Sequence, residues 1–151
     1  MTRAEAIELL AQRELKTLTP DDRESRLLDC RDEEDDVEVP DDALLLQSLR
    51  HEYVGVLNEF IEQRLGISER VIGQVEVLRP CDCCGFRTIE TEFDVCPVCF
   101  WEECSVLAGT SFPGPNRLPL QQARQNFERI GAMSEGSLKF VLVDGPQRYA
   151  K

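Results

Sequence analysis

Two cysteine pairs decide how the second half of this chain folds: Cys81-Asp82-Cys83-Cys84-Gly85 and Cys96-Pro97-Val98-Cys99, with eleven residues between the pairs. A Cys-x-x-Cys turn points two sulfurs toward one metal ion, and two such turns on facing hairpins complete a tetrahedral four-sulfur site. Glycine after the second sulfur suits a tight turn because it reaches positive φ without a Cβ penalty. The spacing therefore predicts a zinc-ribbon-like β module that holds a structural Zn²⁺ through Cys81, Cys84, Cys96 and Cys99.

Other chemistries use cysteines at similar spacing. Disulfides need an oxidising compartment, and the first residues of the sequence lack the apolar stretch of an export signal, so we expect a cytoplasmic protein with reduced cysteines. A redox Cys-x-x-Cys motif comes singly on a βαβ unit, and no such unit is readable in this sequence. A rubredoxin-like iron site would use the same turns, so iron stays open beside zinc.

The remaining cysteines and the single histidine are weaker candidates for ligands. Cys83 lies inside the first turn and could exchange with Cys84, but only Cys84 gives the two-residue gap that the second pair also has. Cys104 and Cys30 fit packed or free thiols. His51 is interpreted as an exposed or capping polar residue, since four sulfurs already satisfy zinc.

Net charge restricts the partners of this protein. The chain carries a formal charge of −12. Residues 1–80 hold 10 basic and 20 acidic side chains, net −10, whereas residues 81–151 hold 7 and 9, net −2. A phosphate backbone is repelled by such a surface, which excludes direct nucleic-acid binding as the leading function. No apolar run reaches membrane-spanning length, so we expect a protein partner with a basic surface and no membrane contact.

Apolar residues at helical spacing predict a helical region at residues 1–78. A capping box of Thr2 and Glu5 begins a helix over about 3–17, Pro20 begins a second helix, and one long apolar stripe predicts a third over 43–65. Further along, the patterns predict an extended segment at 71–78, short strands at 86–89 and 92–95, a loop at 105–116, a helix over 119–130 and an apolar edge strand at 138–143.

These elements predict an α+β fold. An N-terminal helical region, residues 1–78, is packed with a small zinc-ribbon-like β module and a C-terminal helix, residues 79–151. At this length the two regions form either two small domains or one compact unit.

The acidic tract, residues 32–42, contains Glu33, Glu34, Asp35 and Asp36 and ends in a Pro-Asp-Asp sequence. Acidic runs are usually solvated linkers. The alternative is that these four side chains bind a basic partner surface, and for this reason they are the candidate partner-binding residues.

Several stretches together resemble the cysteine-rich CPCC family of small bacterial proteins: Cys81 to Phe86, Asp94 to Glu102, Gly114 to Asn116, and the helix that closes on Gly131-Ala132. The N-terminal helices are similar to those of longer members. The resemblance implies a zinc-binding module, and some members look like immunity proteins beside secreted antibacterial toxins. Asp82 stands where the family has proline, and Cys104 where acidic residues are common.

The sequence contains no nucleophile–base pair, phosphate-cradling glycine loop or HExxH motif, and a four-cysteine site leaves no position for a substrate. We therefore expect a protein that is not an enzyme. Two functions remain: an immunity protein that binds and occludes a cognate toxin with a basic surface, or a zinc-ribbon adaptor in transcription or translation that binds a protein or RNA. The acidic N-terminal half favours the first.

Overall fold

The structure is a computed structural model that describes residues 1–31, 39–104 and 114–151. The chain divides into two compact units, Met1–Val75 and Glu76–Lys151. Within the described residues, six α-helices accompany one two-stranded antiparallel sheet. The prediction of an α+β fold is therefore confirmed. None of the helices in those three ranges is long and apolar enough to cross a membrane.

The N-terminal unit is built from four helices: α1 (Arg3–Leu15), α2 (Pro20–Cys30), α3 (Asp41–His51) and α4 (Asn58–Leu65). Helix α1 contacts α3 and α4, and α2 contacts α3. Apolar side chains at helical spacing fill the space between α1, α3 and α4, and the largest of those that are fully buried are Leu10, Leu45, Leu49, Val56 and Ile61. Burial of these side chains is the main stabilising contribution to the unit.

Two capping boxes fix where the first two helices begin. Thr2 accepts a hydrogen bond from the amide of Glu5 while the Glu5 carboxylate accepts one from the Thr2 amide. Thr19 and Asp22 repeat the arrangement ahead of α2, with Pro20 in the first turn. Both predicted helix starts are confirmed, because capping depends on residues only three positions apart.

The single helix predicted over 43–65 is wrong, because the structure divides it into α3 and α4. Gly55 adopts φ +72° in the connection, a left-handed conformation that ends helical hydrogen bonding. The buried Arg3 side chain compensates for the break, since its guanidinium donates to the carbonyls of Tyr53 and Val56, both at 2.8 Å. The apolar stripe continues through the break and so cannot reveal it.

The C-terminal unit begins with the sheet. Strand β1 (Arg79–Pro80) pairs antiparallel with β2 (Arg87–Ile89), with Arg79 opposite Ile89. Helix α5 (Leu120–Ile130), a 3₁₀ turn (Glu135–Ser137) and the short helix α6 (Gly145–Arg148) follow. Gly131 ends α5 with φ +79°, as its position after the predicted helix indicates.

The strand predicted over 92–95 is a turn. Phe93 adopts φ +64°, and the Asp94 carboxylate accepts hydrogen bonds from the amides of Glu90 and Thr91 at 2.8 and 2.7 Å. An aspartate that accepts from nearby backbone amides competes with strand pairing. Only an isolated antiparallel bridge between Val95 and Glu102 remains.

The edge strand predicted over 138–143 is also wrong, because these residues form turns. The amide of Phe140 donates to the Ser137 carbonyl, and the amide of Leu142 donates to the Pro97 carbonyl, both at 2.9 Å. An apolar run with strand propensity does not specify a partner. Here two of its amides donate instead to carbonyls of the preceding turn and of the second Cys-x-x-Cys turn.

Candidate metal centre

The two Cys-x-x-Cys turns have the same backbone hydrogen bonds. In the first, the amide of Gly85 donates to the Cys81 carbonyl and the amide of Cys81 donates to the Phe86 carbonyl, both at 2.8 Å. In the second, the amide of Phe100 donates to the Cys96 carbonyl and the amide of Cys96 to the Trp101 carbonyl, again at 2.8 Å. We call these two turns the first and second knuckle.

The residue that follows each knuckle has a positive φ. Gly85 adopts φ +80°, and Phe100, at the equivalent position, adopts φ +69°. Glycine takes this conformation without strain, whereas a phenylalanine there is destabilised by about 1–2 kcal/mol. The second knuckle therefore retains the backbone geometry of the first with an unfavourable residue. In both knuckles, the positive φ of this residue lets the turn close.

The knuckles bring together the four cysteines that the sequence spacing selected: Cys81, Cys84, Cys96 and Cys99. Their sulfurs all lie within 4.8 Å of one another, and all four residues are buried. The Sγ atoms of Cys81 and Cys99 are 3.6 Å apart, as are those of Cys84 and Cys96.

The sulfur spacing fits a metal ion better than a disulfide. Zn–S bonds of about 2.3 Å place tetrahedral sulfurs about 3.8 Å apart. A disulfide needs about 2.05 Å between bonded sulfurs. All seven cysteines of the chain are free thiols in the structure. Four buried sulfurs at this separation form a donor set that can hold one metal ion.

Two donors point at the sulfurs and favour their charged form. The Thr88 hydroxyl on β2 donates to Cys96 Sγ at 3.1 Å, and the Trp101 amide lies 3.5 Å from Cys99 Sγ. Hydrogen bonds to a thiolate stabilise it over the thiol. The backbone amide after the second knuckle agrees with the expected geometry of Cys-x-x-Cys turns, but no sequence signal identifies Thr88.

The four thiols cannot all ionise without a cation. Hydrogen bonds from Cys81, then Cys84 and Cys99, hold the pKa of Cys96 far below its usual range. The pKa of Cys81 is raised, chiefly by its hydrogen bond with Cys84, and that of Cys99 is raised, chiefly by its hydrogen bond with Cys81. The cluster therefore favours a thiolate at Cys96 and opposes further thiolates at Cys81 and Cys99, which a positive ion between the sulfurs would compensate.

A fifth buried cysteine, Cys83, lies beside the cluster. Its pKa is lowered, chiefly by a hydrogen bond with Cys99 and also by the positive charge of Arg124. Arg124 on α5 donates to the Asp82 carbonyl at 2.8 Å and so places a guanidinium against the first knuckle. Four thiolates around a divalent cation would leave a net negative charge, which Arg124 would oppose. The sequence pattern of α5 did not reveal this role.

Segments far along the chain support the second knuckle. The amide of Met133 donates to the Cys99 carbonyl at 2.8 Å, and that of Leu142 to the Pro97 carbonyl at 2.9 Å. Gly145 lies so close to Val98 that an added Cβ would come within 3.2 Å of its side chain. The second knuckle is thus enclosed by residues between 133 and 145.

Aromatic side chains follow the second knuckle. Trp101 is only 5% exposed. Phe100 instead stacks on Phe140, with ring centroids 4.7 Å apart, and Phe140 is half exposed. Of the two aromatic residues that follow the second knuckle, only Trp101 is buried.

The other residues singled out in the sequence lie elsewhere. Glu33, Glu34, Asp35 and Asp36, the candidate partner-binding residues, lie outside the described residues. His51 ends α3 and is exposed, Cys30 ends α2, and Cys104 accepts a weak hydrogen bond from Asn116 Nδ2 at 3.7 Å. None of these three belongs to the four-sulfur cluster.

Comparison with known proteins agrees with the geometry of the cluster. Residues 79–147 match the family model described as "Cysteine-rich CPCC", a span that includes both knuckles, α5 and the segments that enclose the second knuckle. The match supports the resemblance to the cysteine-rich CPCC family that the sequence pattern indicates. No curated protein and no solved structure gives a significant match. We refer to residues 79–147 as the CPCC module.

Proposed function

We propose that the CPCC module holds a structural Zn²⁺ through Cys81, Cys84, Cys96 and Cys99. Support comes from the closed donor set: four buried sulfurs satisfy a tetrahedral ion and leave no position for water or substrate. Catalytic zinc sites keep such a position open. An ion with four protein ligands would instead join the two knuckles and so stabilise the fold. The knuckles themselves have few backbone hydrogen bonds, and the neighbouring strand β1 is only two residues long.

We further propose that the chain is a binding protein rather than an enzyme, and most concretely an immunity protein that occludes a cognate toxin. The observation that carries this proposal is the uneven charge, with net −10 on residues 1–80. Toxins that act on nucleic acids or nucleotides present basic clefts to their substrates. An acidic protein is steered toward such a cleft and can cover it.

Native mass spectrometry of the tagged protein, captured from the lysate of its own cells, tests both proposals. We expect one zinc ion per chain together with one polypeptide in fixed stoichiometry. Expression of that polypeptide alone should stop bacterial growth, and co-expression with this chain should restore it. One zinc ion with no toxic partner, or with bound RNA or a transcription or translation component, would favour the adaptor function instead.

The acidic tract gives a second measurement on the same complex. Replacing Glu33, Glu34, Asp35 and Asp36 by their amides should slow association and weaken its dependence on salt, because the long-range attraction is reduced. The dissociation rate should change less. Unchanged association kinetics would make the tract a linker.

A further inference from the structure

Helix α2 is held to its unit in an unusual way. None of its eleven residues is buried. Its contacts with α3 include three ion pairs, Arg23 with Asp42, Arg31 with Asp41, and Arg26 with Glu52 just beyond the end of α3, and Arg26 also donates a hydrogen bond to Ser48 Oγ at 3.3 Å. Exposed ion pairs contribute little to stability. Polar contacts therefore contribute much of the attachment of α2, while Leu27 is half-buried and Leu28 remains exposed.

These apolar side chains line a groove. Its residues recur every three or four positions along α2, so they occupy one face of the helix over its full length of about 16 Å. The groove has a volume of about 930 Å³ and is lined by Pro20, Arg23, Glu24, Leu27, Leu28, Arg31 and Asp41. Leu28, near the C-terminal end of α2, is 74% exposed. We call this surface the α2 groove.

The described residues of α2 and of the start of α3 carry a net negative charge. Residues 20–31 and 39–42 hold three basic and six acidic side chains, net −3. Arg23 and Arg31 on the rim of the α2 groove are compensated by their aspartate partners on α3. Glu24, which lines the groove, makes no ion pair within the described part of the chain, so its charge is not compensated there. A cationic occupant is favoured over a neutral or anionic one.

We propose that the α2 groove binds a basic amphipathic helix of a protein partner. The apolar side of that helix covers Leu27 and Leu28, while its lysines and arginines face Glu24 and the other acidic residues of α2. A helix of about three turns matches the length of the groove, and a helix laid in an apolar groove is a recurrent mode of recognition. This inference rests on the proposed function, since it names the surface through which the chain meets a basic protein.

A designed peptide tests the groove without knowledge of the natural partner. An 18-residue peptide of leucine and lysine, with leucines at i, i+3, i+4 and i+7 spacing, is titrated against the full chain and followed by fluorescence anisotropy. One control peptide has serine in place of leucine, and a second has glutamate in place of lysine. We expect only the leucine–lysine peptide to bind tightly, because the other two lack either the apolar contact or the complementary charge.

Matched variants of the protein locate the binding site. Leu28→Gln should weaken binding of the peptide about tenfold or more, because burial of a leucine side chain contributes enough free energy for that change. Glutamine has a helix propensity close to that of leucine, so α2 should persist. Ile72→Gln is the control, since Ile72 is 71% exposed in the same unit and lies outside the groove, and it should leave binding unchanged.

Three results with the designed peptides or the purified chain would overturn the proposal, and a fourth comes from the growth assay. The serine–lysine peptide could bind as tightly as the leucine–lysine peptide, Leu28→Gln could leave binding unchanged, or sedimentation equilibrium could reveal a dimer of this chain that Leu28→Gln abolishes. In the growth assay, full rescue by Leu28→Gln, together with unchanged affinity for the captured toxin, would overturn the groove and leave the immunity function standing. Absence of any toxic partner would overturn the immunity function itself.

Discussion

Replacing Cys96 by serine should unfold the C-terminal unit. Cys96 is completely buried, lies 3.6 Å from the Cys84 sulfur and accepts a hydrogen bond from the Thr88 hydroxyl. A hydroxyl oxygen is a poor zinc ligand at neutral pH, which leaves three sulfurs and a weakened site. The expected loss of folding free energy is large compared with the stability of the C-terminal unit.

The magnitude follows from the size of the unit. Structural zinc contributes about 10–16 kcal/mol of folding free energy at neutral pH. A unit the size of Glu76–Lys151 has a total stability of about 4–11 kcal/mol at about 0.05–0.15 kcal/mol per residue. Even a partial loss of the zinc contribution is therefore comparable to the whole stability of the unit. We expect the variant to behave as the metal-free protein does after chelation.

Trp101 provides the measurement, since it is the single tryptophan of the chain and is buried in this unit. In Cys96→Ser its fluorescence emission should move to longer wavelength, and elemental analysis should find less than one zinc ion per chain. Cys104→Ser is the control, because Cys104 lies outside the four-sulfur cluster; it should keep one zinc ion and the wild-type unfolding midpoint. A Cys96→Ser protein with full zinc content and an unchanged midpoint would refute the reasoning.

Three further substitutions examine the contacts around the centre and the helices. Gly85→Ala, at φ +80°, should lower the free energy of unfolding by about 1–2 kcal/mol in urea denaturation. Phe100→Gly removes a similar backbone strain but also a ring stack, so it should change the free energy of unfolding by less than about 1 kcal/mol. Thr88→Val removes a hydrogen bond that lowers the pKa of Cys96, so protons compete better for that sulfur and a zinc indicator should detect release at higher pH during acidification. Arg3→Met leaves two buried carbonyls unpaired and should destabilise the N-terminal unit by about 2–4 kcal/mol, measured by circular dichroism; an unchanged midpoint would contradict the role assigned to that arginine.

Features that depend on a few neighbouring residues were predictable. The two knuckles follow from two-residue cysteine gaps, and their backbone hydrogen bonds join residues no more than five positions apart. The helix starts at Thr2 and Thr19 follow from capping boxes that span three residues. In each case the sequence contains both partners of the interaction within one turn, so the pattern determines the geometry.

Features that join distant residues were not predictable from a single sequence. The apolar stripe over 43–65 is the same for one long helix and for two helices that bury the same face, and the choice depends on Gly55 and on Arg3, about fifty residues away. The run over 138–143 reads as a strand because its amides have no visible partner in the sequence. One of those amides binds the Pro97 carbonyl, some forty-five residues upstream.

The enclosure of the second knuckle governs how quickly a bound ion can leave. Met133 and Leu142 hold the backbone of the cysteine loop, and Gly145 closes on Val98. Because all four cysteines are buried, we expect a chelator to reach the sulfurs only after local opening, so the lifetime of a bound ion would depend on that opening as well as on metal–sulfur affinity. The CPCC module should therefore behave as a slow-exchange centre that keeps its ion through brief metal shortage, even where a small peptide with the same four cysteines would lose it.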